Sequence, residues 1–243
     1  MAEQIQHSFK RHEIKFLLKP DIFQMLYPRL RERMEEDVYG LYPICNVYYD
    51  TPDYQLIRHS LDKPVYKEKF RLRSYGPISV DDMMFAEIKK KYKGIVYKRR
   101  VSLKGSECGD LFNNREAAFD SWQIHREILQ FFNTYPNLMP KVYIGYDRIA
   151  LAGIGADSTL RVTFDQNISY RETGLSLWGE GDLSPVLPEE VIVMEVKVAH
   201  AVPLWLVSLL SEYGIYKTSF SKYGTYYNQY IAKKLMERIR LSC

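Results

Sequence analysis

The chain has 243 residues, of which 46% are hydrophobic and 26% charged. That is the composition of a soluble globular protein, with room for one large or two small domains. A net charge of only +4 argues against a generally basic, non-specific nucleic-acid binder, so what matters is where the 34 lysines and arginines sit.

The opening "FKRHEIKFLL" reads as a strand, with Arg11, Glu13 and Lys15 on one face and His12, Ile14 and Phe16 on the other. "KPDIFQMLYPRLRERMEED" then reads as a helix, started by Pro20 and Asp21 and kinked at Pro28. "YPICNVYYD" is a strand, followed by a turn at Asp50, Thr51, Pro52 and Asp53. The strand 65–75 comes next. Its core, "KEKFRLRSYG", puts Lys67, Lys69, Arg71 and Arg73 on one face and Glu68, Phe70, Leu72 and Ser74 on the other. "MMFAEIKKKYKG" and "IVYKRRVSLKG" form a hairpin, with Glu87, Lys89 and Lys91, then Lys98, Arg100 and Ser102, on its polar face. Residues 108–133 read as helical, and "FDSWQIHREILQFF" is amphipathic at a 3.6-residue period. "PKVYIGYDRIALAG" is a strand carrying Arg148. "LRVTFDQNISYRE" is another, with Arg161, Thr163 and Asp165 on one face. In "EEVIVMEVKVAH" the apolar run of a buried strand is interrupted by Glu195 and Lys197. A short helix ending at Gly214 and a last helix starting near Ser219 or Ser221 complete the chain.

These seven or eight strands with helices at the start, middle and end predict an α+β fold rich in antiparallel neighbours. No repeat, low-complexity tract or linker divides residues 1–243, which read as a single domain. No run of about 18 apolar residues is present to span a bilayer, and the polar start lacks a signal-peptide core. Cys45, Cys108 and Cys243 are far apart and form neither a disulfide framework nor a zinc site. Reduced thiols and a cytoplasmic location are expected.

The strands share one oddity: their polar face is dominated by cations, with few carboxylates. Same-face neighbours on a strand lie about 7 Å apart. At an effective dielectric near 20, each adjacent cation pair repels by roughly 2 kcal/mol. Bulk water relieves that on an open sheet, where lysines guard strands against aggregation. A sheet closed into a barrel would instead turn the cations inward, and only a polyanion in a wet tunnel could offset their burial. For any single strand the solvated reading is the simpler one. Repetition over five or six strands, and the charges inside "VIVMEVKV", favour the tunnel.

In sequence order, "RHEIKF", "YYDTPD", "KFRLRSYG", "FAEIKKK", "YKRRVSL", "YDRIAL", "RVTFD", "MEVKV" and "FSKYG" resemble the polyphosphate polymerase domain of the vacuolar transporter chaperone proteins. That domain belongs to the triphosphate tunnel metalloenzyme, or CYTH-like, superfamily. The resemblance runs from about residue 8 to 230. It implies a closed antiparallel tunnel of eight strands with flanking helices, binding triphosphate and a divalent metal, Mn²⁺ or Mg²⁺. It further implies phosphate binding by Lys15, Lys69, Arg71, Arg73, Lys89, Lys98, Arg100, Arg148, Arg161, Lys197, Ser221 and Lys222, with Arg71, Arg73, Lys89, Arg148 and Lys222 catalytic and Glu195 holding the metal. Hydrolytic tunnel enzymes open with an E-x-E-x-K strand. Here Arg11 replaces the first carboxylate ahead of Glu13 and Lys15, which moves the chain towards the polymerase branch. The membrane and phosphate-sensing parts of the eukaryotic proteins do not occur in this sequence.

The expected activity is transfer of the γ-phosphate of ATP to a growing polyphosphate. The acceptor is already an anion, so no general base is needed, and no Ser-His-Asp or Cys-His set is evident. With no P-loop or kinase glycine loop, nucleotide recognition is expected to lie in the triphosphate. The alternatives are a triphosphatase on the same tunnel, with water as acceptor, and a non-catalytic polyphosphate binder. Expected partners are ATP and polyphosphate or triphosphate. Nucleic acid is not expected, because the cations share their face with few aromatics, and a membrane partner is left open.

Overall fold

The computed structural model of the protein describes residues 12–112, 122–188 and 190–242. Arg11 and Cys243 lie outside the described residues, as does the stretch 113–121 of the expected helix 108–133. The strands are β1 (His12–Leu18), β2 (Met34–Glu36), β3 (Tyr42–Asp50), β4 (Tyr66–Tyr75), β5 (Met83–Tyr92), β6 (Ile95–Lys104), β7 (Met139–Gly153), β8 (Arg161–Arg171), β9 (Ser184–Pro185) and β10 (Ile192–Val198). The helices are α1 (Pro20–Arg31), α2 (Gln55–Leu61), α3 (Cys108–Phe112), α4 (Trp122–Thr134), α5 (Leu204–Glu212), α6 (Lys222–Tyr226) and α7 (Ala232–Ser242). A π-helical turn, Tyr227–Ile231, joins the last two.

Eight strands form one antiparallel path, β1-β10-β8-β7-β3-β4-β5-β6, with β2 paired to β7 and β9 to β8. The alternation along β4 explains how this wall is dressed. Phe70 and Leu72 point outward, where Ile124, Ile128 and Phe131 of α4 cover them together with Ala86, Ile88, Val101 and Leu103 of β5 and β6. Complete burial of a side chain such as Phe70 contributes about 1.5–3 kcal/mol. A second outer layer joins Leu26 and Leu30 of α1 and Leu206 and Leu210 of α5 to Phe16, Phe164, Met194 and Val196. The concave face keeps the cations. There α6 packs inside the curl, with the Tyr223 ring stacked on Tyr48 at a centroid distance of 5.0 Å.

The barrel expected from the sequence is not closed by ladder hydrogen bonds. The path is open between β1 and β6, although their Cα atoms come within 8 Å of one another. The reason lies on the free edge of β1. Lys15 is in register with Glu195 of β10, but its carbonyl faces the other edge and accepts from the Thr218 N–H at 2.7 Å. The segment before α6 therefore occupies an edge that a closing strand would need. Side chains span the seam instead: Lys89 Nζ on β5 donates to Glu13 Oε2 on β1 at 2.5 Å.

Local expectations were corrected at two places. The first helix ends at Arg31, short of the predicted Asp37, because Met34, Glu35 and Glu36 pair with Gly153, Ala152 and Leu151 of β7 respectively. Burial of Met34 there outweighs the helix preference of "RERMEE". The last helix is broken into α6, the π turn and α7. Its start is at Ser221, whose Oγ accepts from the Gly224 N–H at 3.2 Å.

Candidate functional site

The register of the wall decides which charges meet. Lys67, Lys69 and Arg71 of β4 lie opposite Lys91, Lys89 and Glu87 of β5, and Lys89 lies opposite Lys98 of β6. Like charges directly opposite on one face destabilise a sheet, and this sheet has several in a row. The concave face bounds a cavity of about 1220 Å³. Fifteen lysines and arginines and only four carboxylates line it, and no His or Cys does so among the described residues. The structure brings all of the residues singled out above to this one cavity: Lys15, Lys69, Arg71, Arg73, Lys89, Lys98, Arg100, Arg148, Arg161, Glu195, Lys197, Ser221 and Lys222.

Two buried carboxylates behind the lining organise the arginines. Glu87 Oε2 accepts from Arg71 Nε and Nη2 at 2.9 and 2.7 Å. Its Oε1 is paired with Lys98 Nζ at 2.5 Å, and Arg73 Nε lies 3.8 Å from Oε2. Burial by itself would raise the Glu87 pKa, but Arg73, Arg71 and Lys98 outweigh it and hold the carboxyl well below its usual range. Asp165 takes a two-point bond from Arg148, at 2.6 and 2.8 Å, and a third from Lys222 Nζ. These cations overcome burial and hold its carboxyl low. Neutral groups complete the set. The Tyr48 hydroxyl accepts from Arg71 Nη1 at 3.1 Å. Asn46 Oδ1 and the Tyr146 hydroxyl accept from Arg73 at 2.9 and 3.1 Å. A guanidinium has five N–H donors, so Arg71 and Arg148 each keep donors for a ligand. The sequence reading noted Glu87 and Asp165 as strand carboxylates but gave them no place in the site, and it missed Asn46, Tyr48 and Tyr146. Glu87, Asp165 and Tyr146 share a strand face with a cation in the chain, whereas β3, which carries Asn46 and Tyr48, has no lysine or arginine to mark them.

The lysines are held differently. Lys15 Nζ donates to the Phe220 carbonyl and Lys69 Nζ to Ser221 Oγ, both at 3.0 Å, and neither has a carboxylate within ion-pair distance among the described residues. Burial, with Lys15, Lys67 and Lys89 nearby, pushes Lys69 down to about 7. Burial also pushes Lys98 down to about 7 and Lys197 to about 8, against the pull of Glu87 and Glu195 respectively. A buried ammonium loses its proton more readily than a guanidinium does. Lys89 goes the other way. Glu13 and Glu195 overcome the burial penalty and raise it.

Glu195 stands apart among the lining carboxylates. Glu13 is tied to Lys89 and Asp37 to Arg161 at 2.9 Å, and Glu68 accepts from the Tyr66 hydroxyl at 2.7 Å. Among the described residues Glu195 has only Lys197 at ion-pair distance, at 3.6 Å. Burial would raise it, yet Lys197, Lys15, Lys89 and Arg148 keep it ionised and well below the usual range. Among the described residues no three His, Cys, Asp or Glu side chains converge as a self-sufficient metal cage. A hard divalent ion carried on phosphates requires less, since one carboxylate with phosphate and water oxygens suffices. The Glu195 carboxylate fits that demand.

The curled antiparallel wall with helices outside it also occurs in solved structures. A candidate adenylate cyclase from Bacillus halodurans superimposes with a TM-score of 0.55 at 13% identity, covering 89% of this chain and 96% of that one. A candidate adenylyl cyclase from Hippeastrum, for which a dominant triphosphatase activity is described, gives 0.53 at 14% identity, covering 91% and 96%. Sequence comparison finds no match among curated proteins. The family model of the VTC domain matches residues 10–231, and the chain belongs to that family. No helix among the described residues is long and apolar enough to cross a membrane.

Proposed function

We propose that the chain is an ATP-dependent polyphosphate polymerase. The observation that carries this reading is the excess of cations over carboxylates in one cavity on the concave face. Polyphosphate is the ligand class that satisfies such a wall along its whole length, through charge-assisted and two-point bonds to phosphate oxygens. In the reaction a terminal oxygen of the acceptor phosphate attacks the γ-phosphorus of ATP. The bond from that phosphorus to the β–γ bridging oxygen breaks, and ADP leaves with the electron pair. The acceptor grows by one phosphate and no base has to remove a proton, which suits a wall with no His or Cys among the described residues. Phosphoryl transfer of this kind rests on alignment and charge neutralisation.

Arg71, Arg73, Lys89, Arg148 and Lys222 are the proposed catalytic residues, in contact with the transferring group and its bridging oxygen. Glu87 and Asp165 hold Arg71, Arg73, Arg148 and Lys222 in place before substrate arrives, so little reorganisation is needed in the transition state. Lys15, Lys69, Lys98, Arg100, Arg161 and Lys197 bind the flanking phosphates. Ser221, whose Oγ already accepts from Lys69 and Gly224, has its own O–H left to donate to them. Glu195 would hold Mg²⁺ or Mn²⁺ together with phosphate oxygens. Such an ion supplies further neutralisation of charge on the phosphoryl oxygens.

The test is incubation of the purified protein with ATP and Mn²⁺ or Mg²⁺, with the phosphate product sized on a gel. A ladder of long phosphate polymer is expected. Orthophosphate alone would refute the transferase and indicate a triphosphatase, the activity described for the Hippeastrum relative in fold. Tight binding without turnover would indicate a polyphosphate binder.

A further inference from the structure

The two ends of the bore differ in chemistry. At one end β4 and β5 present Lys67 opposite Lys91, with Lys63 close enough to depress the Lys67 pKa alongside burial and Lys91. At the other end the same strands present Phe85, opposite Arg73, and Tyr75, two residues beyond Arg73. Tyr42, opposite Arg148 on β7, and Tyr39, between β2 and β3, extend this into a row. Ring centroids lie 5.9 Å apart for Tyr39 and Tyr42, 6.4 Å for Tyr42 and Tyr75, and 5.7 Å for Tyr75 and Phe85. All four rings line the cavity. The Arg100 guanidinium lies 4.6 Å over the Phe85 ring.

Burial separates these rings from the other tyrosines of the bore. Tyr48 and Tyr146 are buried and serve arginines through their hydroxyls. Tyr39 is 73% exposed and Tyr75 50%. Rings so open to water contribute little to the core, yet they sit beside the arginine layer. Tyr75 stands about 7 Å outward from Arg73 along the strand, an offset that a ribose can span.

We infer that this mouth is a nucleoside subsite: the base of a nucleoside triphosphate stacks on Tyr39 and Tyr75, and its phosphates run inward over Arg73 and Arg148. The inference rests on the phosphate-binding reading of the bore and adds a direction to it. The aromatic end takes the nucleoside, and the lysine end is left for phosphate alone. Every base has a π-face, so the subsite favours a nucleotide over bare triphosphate without choosing the base.

The test is calorimetric titration of the wild type and of the Tyr39→Ala/Tyr75→Ala variant, in EDTA, with ATP and separately with inorganic tripolyphosphate. Stacking is worth about 1–3 kcal/mol per base, so the ATP Kd should rise about 5- to 150-fold while the tripolyphosphate Kd stays within about twofold. Tyr75→Phe keeps the ring and should keep the ATP affinity. If the double variant does not fold, Tyr39→Ala alone carries the same readout. An unchanged ATP Kd, or equal weakening of both ligands, overturns the subsite. Failure of the wild type to bind tripolyphosphate overturns the phosphate reading of the bore, and the subsite with it.

Discussion

Filling the bore with an anion should draw protons from solution. Lys69 and Lys98 have pKa values of about 7 and Lys197 of about 8 in the ligand-free protein. At pH 8 the first two are therefore about nine-tenths neutral and the third about half neutral. A nearby anion favours the charged form of a lysine. If bound ATP restores all three to full charge, about two protons are taken up per ATP. Its phosphates, with a last pKa near 6, are already ionised at that pH and have none to give. The assay is calorimetry in EDTA at pH 8 in two buffers of different ionisation enthalpy, since the slope of apparent enthalpy against buffer enthalpy counts the protons. Lys69→Met should lower the count by about one. A slope of zero, or net proton release, would refute the claim that these lysines are crowded, neutral and waiting for a ligand.

Other consequences can be checked directly. Between about pH 7 and 9 the unfolded chain binds more protons than the folded one, because the folded pKa values of Lys69 and Lys98 lie below the ordinary 10.5. The ligand-free protein should therefore gain stability as pH rises through that window, and a urea midpoint that is flat or falling would contradict it. Glu87→Gln leaves Arg71, Arg73 and Lys98 without their shared carboxylate. Urea unfolding should show a loss of about 3–5 kcal/mol, partly restored by saturating tripolyphosphate, and wild-type stability would exclude Glu87 as their anchor. Arg71→Ala with Arg73→Ala is best made together with Glu87→Gln, because Lys98 would otherwise be the one close cation left to a buried carboxylate among the described residues. Charged hydrogen bonds are worth about 1.5–3 kcal/mol each, so tripolyphosphate affinity should fall by about a hundredfold or more, and retention of affinity would mean that the phosphates bind elsewhere. Glu195→Gln should leave metal-free ATP binding in place and lower metal-dependent turnover by about a hundredfold. Full activity would remove Glu195 as the metal ligand.

Much of this protein was legible along the chain because side-chain direction in a strand is local. A period of two, read from "KEKFRLRSYG" or "VIVMEVKV", separates charged from apolar faces without knowledge of any neighbour. The cationic face, the strands that carry it and the antiparallel α+β class follow from that alone. Partner choice is not local. Whether Glu87 meets Arg71 or Arg161 depends on the register of strands joined by turns, and whether Asp165 meets Lys222 depends on a helix 57 residues away. The same holds for Met34, which left an expected helix to pair with Gly153, and for the Thr218 bond that occupies the β1 edge. The aromatic mouth draws on the β2–β3 turn and three strands, so no single stretch of sequence displays it. Periodicity shows which way a side chain points; only the folded sheet, by bringing distant strands side by side, decides which charge neutralises it and which lysines lose their protons.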